Sequence, residues 1–150
     1  MPATPLQPVM TPDEINAFIA DVYPHLNGTN RDYEVVSVAP GTCAVRLNAT
    51  ERHLRPGNTV SGPCLFTLAD IGGYACVLAH VGREALAVTT NLNITFMRKA
   101  GPGIVEGRTR LLKLGKSLAM FDIELVAGEN EAVIAHATGT YALPPKRAVK

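Results

Sequence analysis

One carboxylate stands alone in an almost unbroken apolar stretch. Asp70 sits among Leu65, Phe66, Leu68, Ala69, Ile71, Ala75, Cys76, Val77, Leu78 and Ala79. An ionised carboxylate in such surroundings is costly unless it is paired or solvated. It is therefore either chemical, as a general base or a nucleophile, or structural, paired with Arg55 or held by backbone amides. Thr67, Asp70, Gly73 and Tyr74 recur at spacings of three and four, which puts them on one stripe of a helix. That stripe is expected to face a cleft or a subunit boundary, with the leucines turned to a sheet.

Other chemistries find less support. His25, His80 and His136 have no carboxylate or cysteine at ligand spacing, which argues against a metal site. The serines lack a GxSxG context. Gly101-Pro102-Gly103 and Gly115-Lys116-Ser117 lack the rest of a nucleotide-binding fingerprint. Cys43, Cys64 and Cys76 form no CxxC pair, as expected of buried free thiols in a reducing compartment. A net charge of +1 gives no long-range attraction to nucleic acid or an anionic membrane. The N-terminus lacks a basic-then-apolar signal pattern, and no apolar run is expected to span a bilayer. These features predict a soluble cytoplasmic protein.

The elements that must position Asp70 follow from the pattern. At 150 residues, 47% hydrophobic and 18% charged, the chain suits a single globular domain over 1–150. About ten residues at the N-terminus and about six at the C-terminus are expected to be loose. Thr11-Pro12-Asp13-Glu14 starts a helix that Pro24 ends. Tyr33–Val38 and Thr42–Ala49 read as strands about a Pro40-Gly41 turn, and Thr50–Val60 as a loop. Ser61-Gly62-Pro63 caps a long helix to about His80, apolar nearly all round and so buried. Four strands follow: Leu86–Met97, Ile104–Leu114, Leu118–Val126 and Ala132–Leu143. In the first, Leu86, Val88, Leu92, Ile94 and Phe96 are expected to point inward. Its polar face, Thr89, Asn91, Asn93 and Thr95, is expected to meet solvent or another subunit. Short connections predict an antiparallel meander, and with the helices an α+β class.

The stretch from Asn58 through Ser61-Gly62-Pro63 to Asp70 resembles the central-helix motif of hotdog-fold acyl-CoA thioesterases of the phenylacetyl-CoA type. In that family a His-Gly-Gly opens the helix, and an acid follows eight residues after the middle position, as Asp70 follows Gly62. Asn91 to Ala100 resembles the family's strand ending in Phe-Leu-Arg-Pro-Ala, and the Leu112–Ser117 hairpin also fits. The resemblance covers roughly residues 30 to 143.

It implies a long central helix wrapped by an antiparallel sheet of about six strands, in a dimer or dimer of dimers. It implies hydrolysis of an acyl-CoA thioester without metal or separate cofactor, coenzyme A being part of the substrate. Asp70, from the partner chain, would be nucleophile or general base, with the Gly62 amide as oxyanion donor. Ser61 replaces the family's His and could donate through its hydroxyl. Pro63 replaces the second Gly and has no N–H to give. Arg55 replaces an Asn, and would set a cation near the site. Arg55, Asn58, Pro63, Thr67 and Tyr74 are carried over as substrate-binding residues, and Arg98, Lys99 and Lys116 as partners of the coenzyme's phosphates. Two alternatives remain: a hydratase or dehydratase of the same fold using His53 with Asp70, and a non-catalytic acyl-CoA binder.

Overall fold

A computed structural model of the chain describes residues 6–145. Helix α1 (Pro12–Val22) starts at a capping box, where Thr11 Oγ1 accepts from the Glu14 amide and the Glu14 carboxylate accepts from the Thr11 amide. Strands β1 (Tyr33–Ala39) and β2 (Thr42–Ala49) form a hairpin. The segment expected as a loop holds a short 3-10 turn and two two-residue strands, β3 (Leu54–Arg55) and β4 (Thr59–Val60). Helix α2 (Gly62–Val81) is capped by Ser61, whose hydroxyl accepts from the Cys64 amide at 3.4 Å, and ends at Gly82 with a positive φ. Strands β5 (Val88–Phe96), β6 (Gly103–Leu114), β7 (Leu118–Ala127) and β8 (Ala132–Ala142) complete the chain.

All six long strands join one antiparallel sheet in the order β1-β2-β6-β7-β8-β5. Strands β6, β7 and β8 form the expected meander; β5 does not extend it. It pairs with β8 at the far edge, while β6 inserts beside β2. The six residues 97–102 suffice for this crossing, because an extended chain advances about 3.3 Å per residue. The expected inward row on β5 holds in part: Leu92 and Ile94 are partly buried against the core. Leu86, Val88 and Phe96 are exposed, since β5 is an edge strand and a bulge between Thr89 and Asn91 breaks its alternation.

Helix α2 lies on the concave side of the sheet with residues 71–80 all buried. It has the length and apolar content to cross a membrane, contrary to expectation, but most of it is buried within the fold. The approach is close because glycines line it. A Cβ on Gly73 would overlap the tip of the Phe121 ring, and one on Gly139 would overlap the same ring from β8 at 2.5 Å. Gly73 therefore faces the sheet rather than the cleft. Relative to Asp70 it is rotated about 60° one way around the helix, and Tyr74 about 40° the other, so the stripe divides. Within the N-terminal stretch expected to be loose, the Val9 amide donates to Ala79 O and Met10 is buried. Residues 1–5 and 146–150, where looseness was also expected, lie outside the described residues.

Candidate active site

Asp70 sits half-buried midway along α2, at one side of a cleft of about 360 Å³. The end of α1 (Val22, Tyr23), Ile71 and Tyr74 of α2, Ala85, Ala87, Val88 and Thr89, and Tyr141 line the rest. Among the described residues neither structural pairing considered for Asp70 occurs: the carboxylate is held by hydroxyls. Thr89 Oγ1 donates to Oδ1 at 2.6 Å, and the Tyr141 hydroxyl donates to Oδ1 at 2.7 Å. The same phenol also lies 2.9 Å from the Asp70 carbonyl oxygen. Oδ2 has no hydrogen-bond partner among the described residues.

Tyr141 is almost fully buried, stacked on Tyr74 and tilted against Phe121. Burial first, then the neighbouring Asp70 charge, holds its phenol well above the ordinary value, so it remains a neutral donor. The Tyr74 hydroxyl donates to Ala85 O, tying the loop after α2 to the cleft wall. Sequence reasoning missed Tyr141 entirely and assigned Thr89 to solvent or an interface. The available signal was a tyrosine near the end of a strand with a buried face, because a buried phenol seeks a partner.

The helix start is a second centre. The Gly62 N–H belongs to the first turn, whose amides no helix satisfies internally. A Cβ at Gly62 would meet only Phe96, at an ordinary 3.6 Å, so packing does not require glycine there. Ser61 accepts from Cys64 and its own amide donates to His53 O. Thr67 Oγ1 donates back to the carbonyl of the exposed Pro63. Eight residues of α-helix separate Gly62 from Asp70 by about 12 Å, so one chain cannot bring both to one carbonyl carbon.

The remaining candidates scatter. Arg55 and Asn58 are exposed in the β3–β4 hairpin, whose turn holds Asn58 at φ 58°. Arg98 donates to Val133 O and borders, with Lys99, a groove on the β6–β8 side. Lys116 lies at the opposite end of β6, roughly 40 Å away along twelve residues of strand, so one chain does not gather these three on one phosphate group. His53 is buried with Nδ1 accepting from the Thr50 amide and Nε2 facing Asp32 at 3.5 Å; Arg52 pairs with the same Asp32. No His53–Asp70 pair forms within the chain. His80 is a clamp between Cys76 O and the Gly41 amide. His136 faces Asp122, which also pairs with Arg110. Burial pushes the Cys43 thiol up to about 12 and raises Cys76 as well, which leaves both poor nucleophiles.

The chain is similar to several known proteins. The family model described as the thioesterase superfamily matches residues 57–134. A candidate esterase of Pseudomonas aeruginosa is 36% identical over 102 residues, covering 67% of this chain and 74% of the relative. The crystal structure of a candidate thioesterase from Silicibacter sp. TM1040 is 48% identical, covers 93% of this chain and 96% of that one, and superposes with a TM-score of 0.84. Zebrafish thioesterase superfamily member 2 is 25% identical, with coverage of 90% and 99% and a TM-score of 0.76. A candidate thioesterase from Ralstonia eutropha, related to phenylacetic acid degradation, is 27% identical, with coverage of 84% and 98% and a TM-score of 0.72. The helix-in-sheet architecture is the hotdog fold, and the chain belongs to the thioesterase superfamily.

Proposed function

We propose that the protein hydrolyses an acyl-CoA thioester in the cytoplasm, using Asp70 as the reacting carboxylate. The carrying observation is the half-buried acid of α2, whose Oδ1 takes two hydroxyl donors while Oδ2 takes none among the described residues. Asp70 attacks the thioester carbonyl or deprotonates the attacking water. The carbonyl oxygen becomes an oxyanion at the Gly62 amide, where the dipole of α2 favours negative charge. The tetrahedral species expels the coenzyme thiolate, which takes up a proton. Where Asp70 itself attacks, this leaves a mixed anhydride that water then hydrolyses, freeing the acid and the carboxylate; by either route one water cleaves the C–S bond to give acid and thiol. No metal or separate cofactor enters this scheme.

The 12 Å separation along α2 supports a site shared between two copies, one contributing Gly62 and Ser61 and the other Asp70. The exposed edge strand β5, with Val88 and Phe96 uncovered, supports the same dimer, and a dimer of dimers is compatible with it. Arg98 and Lys99 are the proposed partners of the coenzyme's phosphates. Arg55, Asn58, Pro63, Thr67, Tyr74 and Lys116 are secondary candidates for substrate contact. Free-thiol release from acetyl-, hexanoyl-, palmitoyl- and phenylacetyl-CoA tests the reading. Release from any of them supports hydrolysis. Conversion of an enoyl or hydroxyacyl thioester without thiol release would favour the hydratase chemistry, and saturable binding without turnover the non-catalytic binder.

A further inference from the structure

We propose that Tyr141 is a positioning residue that, together with Thr89, fixes the Asp70 carboxylate through Oδ1 and so dedicates Oδ2 to the reaction. The inference rests on the reading of Asp70 as the reacting group. A carboxylate has two chemically equivalent oxygens and rotates about its Cβ–Cγ bond. In water, either oxygen could meet a substrate. Here the equivalence is broken, because two hydroxyls from different strands converge on Oδ1, at 2.6 Å from β5 and 2.7 Å from β8.

The two donors differ in how firmly they are held. Thr89 is exposed on an edge strand, beside the bulge between Thr89 and Asn91. Tyr141 is 3% exposed, with its ring between Tyr74 and Phe121 at centroid distances of 5.9 and 6.0 Å. Its hydroxyl also touches the Asp70 carbonyl oxygen at 2.9 Å, so one rigid phenol references both ends of the residue. The ring cannot follow a rotating carboxylate. Phe121, which backs it, is itself seated against Gly73 and Gly139. The orientation of Oδ2 is thus set by the core of the sheet through Tyr141. A near-attack geometry needs such restraint, since small misplacements of a reacting atom cost much of the rate.

A strap between β8 and α2 would require the same hydroxyl, and kinetics separate the two roles. Thiol release is measured on whichever acyl-CoA of the panel the wild type turns over fastest, for Tyr141→Phe, Thr89→Val, Thr89→Ser and Asp70→Asn, beside the thermal unfolding of each. Positioning predicts that Tyr141→Phe lowers kcat roughly 10- to 100-fold with KM within about threefold, in protein that is fully folded at the assay temperature. Thr89→Val lowers kcat by a smaller factor, and Thr89→Ser restores it because the hydroxyl returns. A purely structural strap would lower the melting temperature and leave kcat of the folded protein within about twofold. That result, with Asp70→Asn inactive, overturns the positioning role and leaves the reading of Asp70 standing. Turnover by Asp70→Asn overturns both. If Tyr141→Phe does not fold, Thr89→Val decides: unchanged kcat there contradicts the dedication of Oδ2.

Discussion

Helix α2 presents two surfaces that were built under opposite constraints. On the sheet side, Gly72 and Gly73 let Ile123, Thr109 and Phe121 approach so closely that no side chain fits between. On the cleft side, Asp70 keeps a polar group where an apolar residue would pack more cheaply, and two hydroxyls hold it. The first surface holds the helix in the sheet. The second gives up burial for a fixed charge. Asp70 and Gly73 are three residues apart, so a single turn of helix passes from one regime to the other.

Glycine substitutions along α2 sharpen the contrast. Gly73→Ala meets the fully buried Phe121 ring, whose tip is already close-packed against Gly139. The gain in helix propensity of about 1 kcal/mol does not offset that overlap, and we expect a net loss of about 2 to 3 kcal/mol in denaturant unfolding. Gly72→Ala meets the movable end of Ile123 and Thr109 Oγ1 at 2.9 Å. A smaller loss of about 1 kcal/mol is expected, read in the same titration. Gly62→Ala meets only Phe96 at contact distance, and its stability should stay within about 0.5 kcal/mol of wild type. Equal losses at Gly73 and Gly62 would break the distinction between the packed surface and the open helix start.

Much of the architecture was legible because local signals agreed. The Ser61 cap, the Pro63 first turn and an apolar pattern on every side specify a buried helix before any partner is known. The strand limits shift by only one or two residues against expectation. What was not legible is which residues meet across long stretches of chain. Nothing local to β5 says that it pairs with β8 rather than β6. The bulge after Thr89 changes which side chains face α2, and a strict alternation cannot anticipate it. Gly73 was read with Asp70 because helical spacing alone groups them; the Phe121 ring that claims Gly73 lies 48 residues downstream. Likewise Tyr141 reaches Asp70 from 71 residues away, so the carboxylate was visible in the sequence and its holders were not.

The central claim is that the cleft side of α2 carries chemistry and the sheet side carries stability. Asp70→Asn tests it most directly, because the change keeps size and hydrogen-bonding capacity while removing the charge. With an acyl-CoA that the wild type hydrolyses, thiol release and thermal unfolding are measured on the same sample. The account predicts that kcat falls by roughly a thousandfold or more while the unfolding free energy stays within about 1 kcal/mol of wild type. Undiminished turnover in a folded Asp70→Asn protein would contradict it.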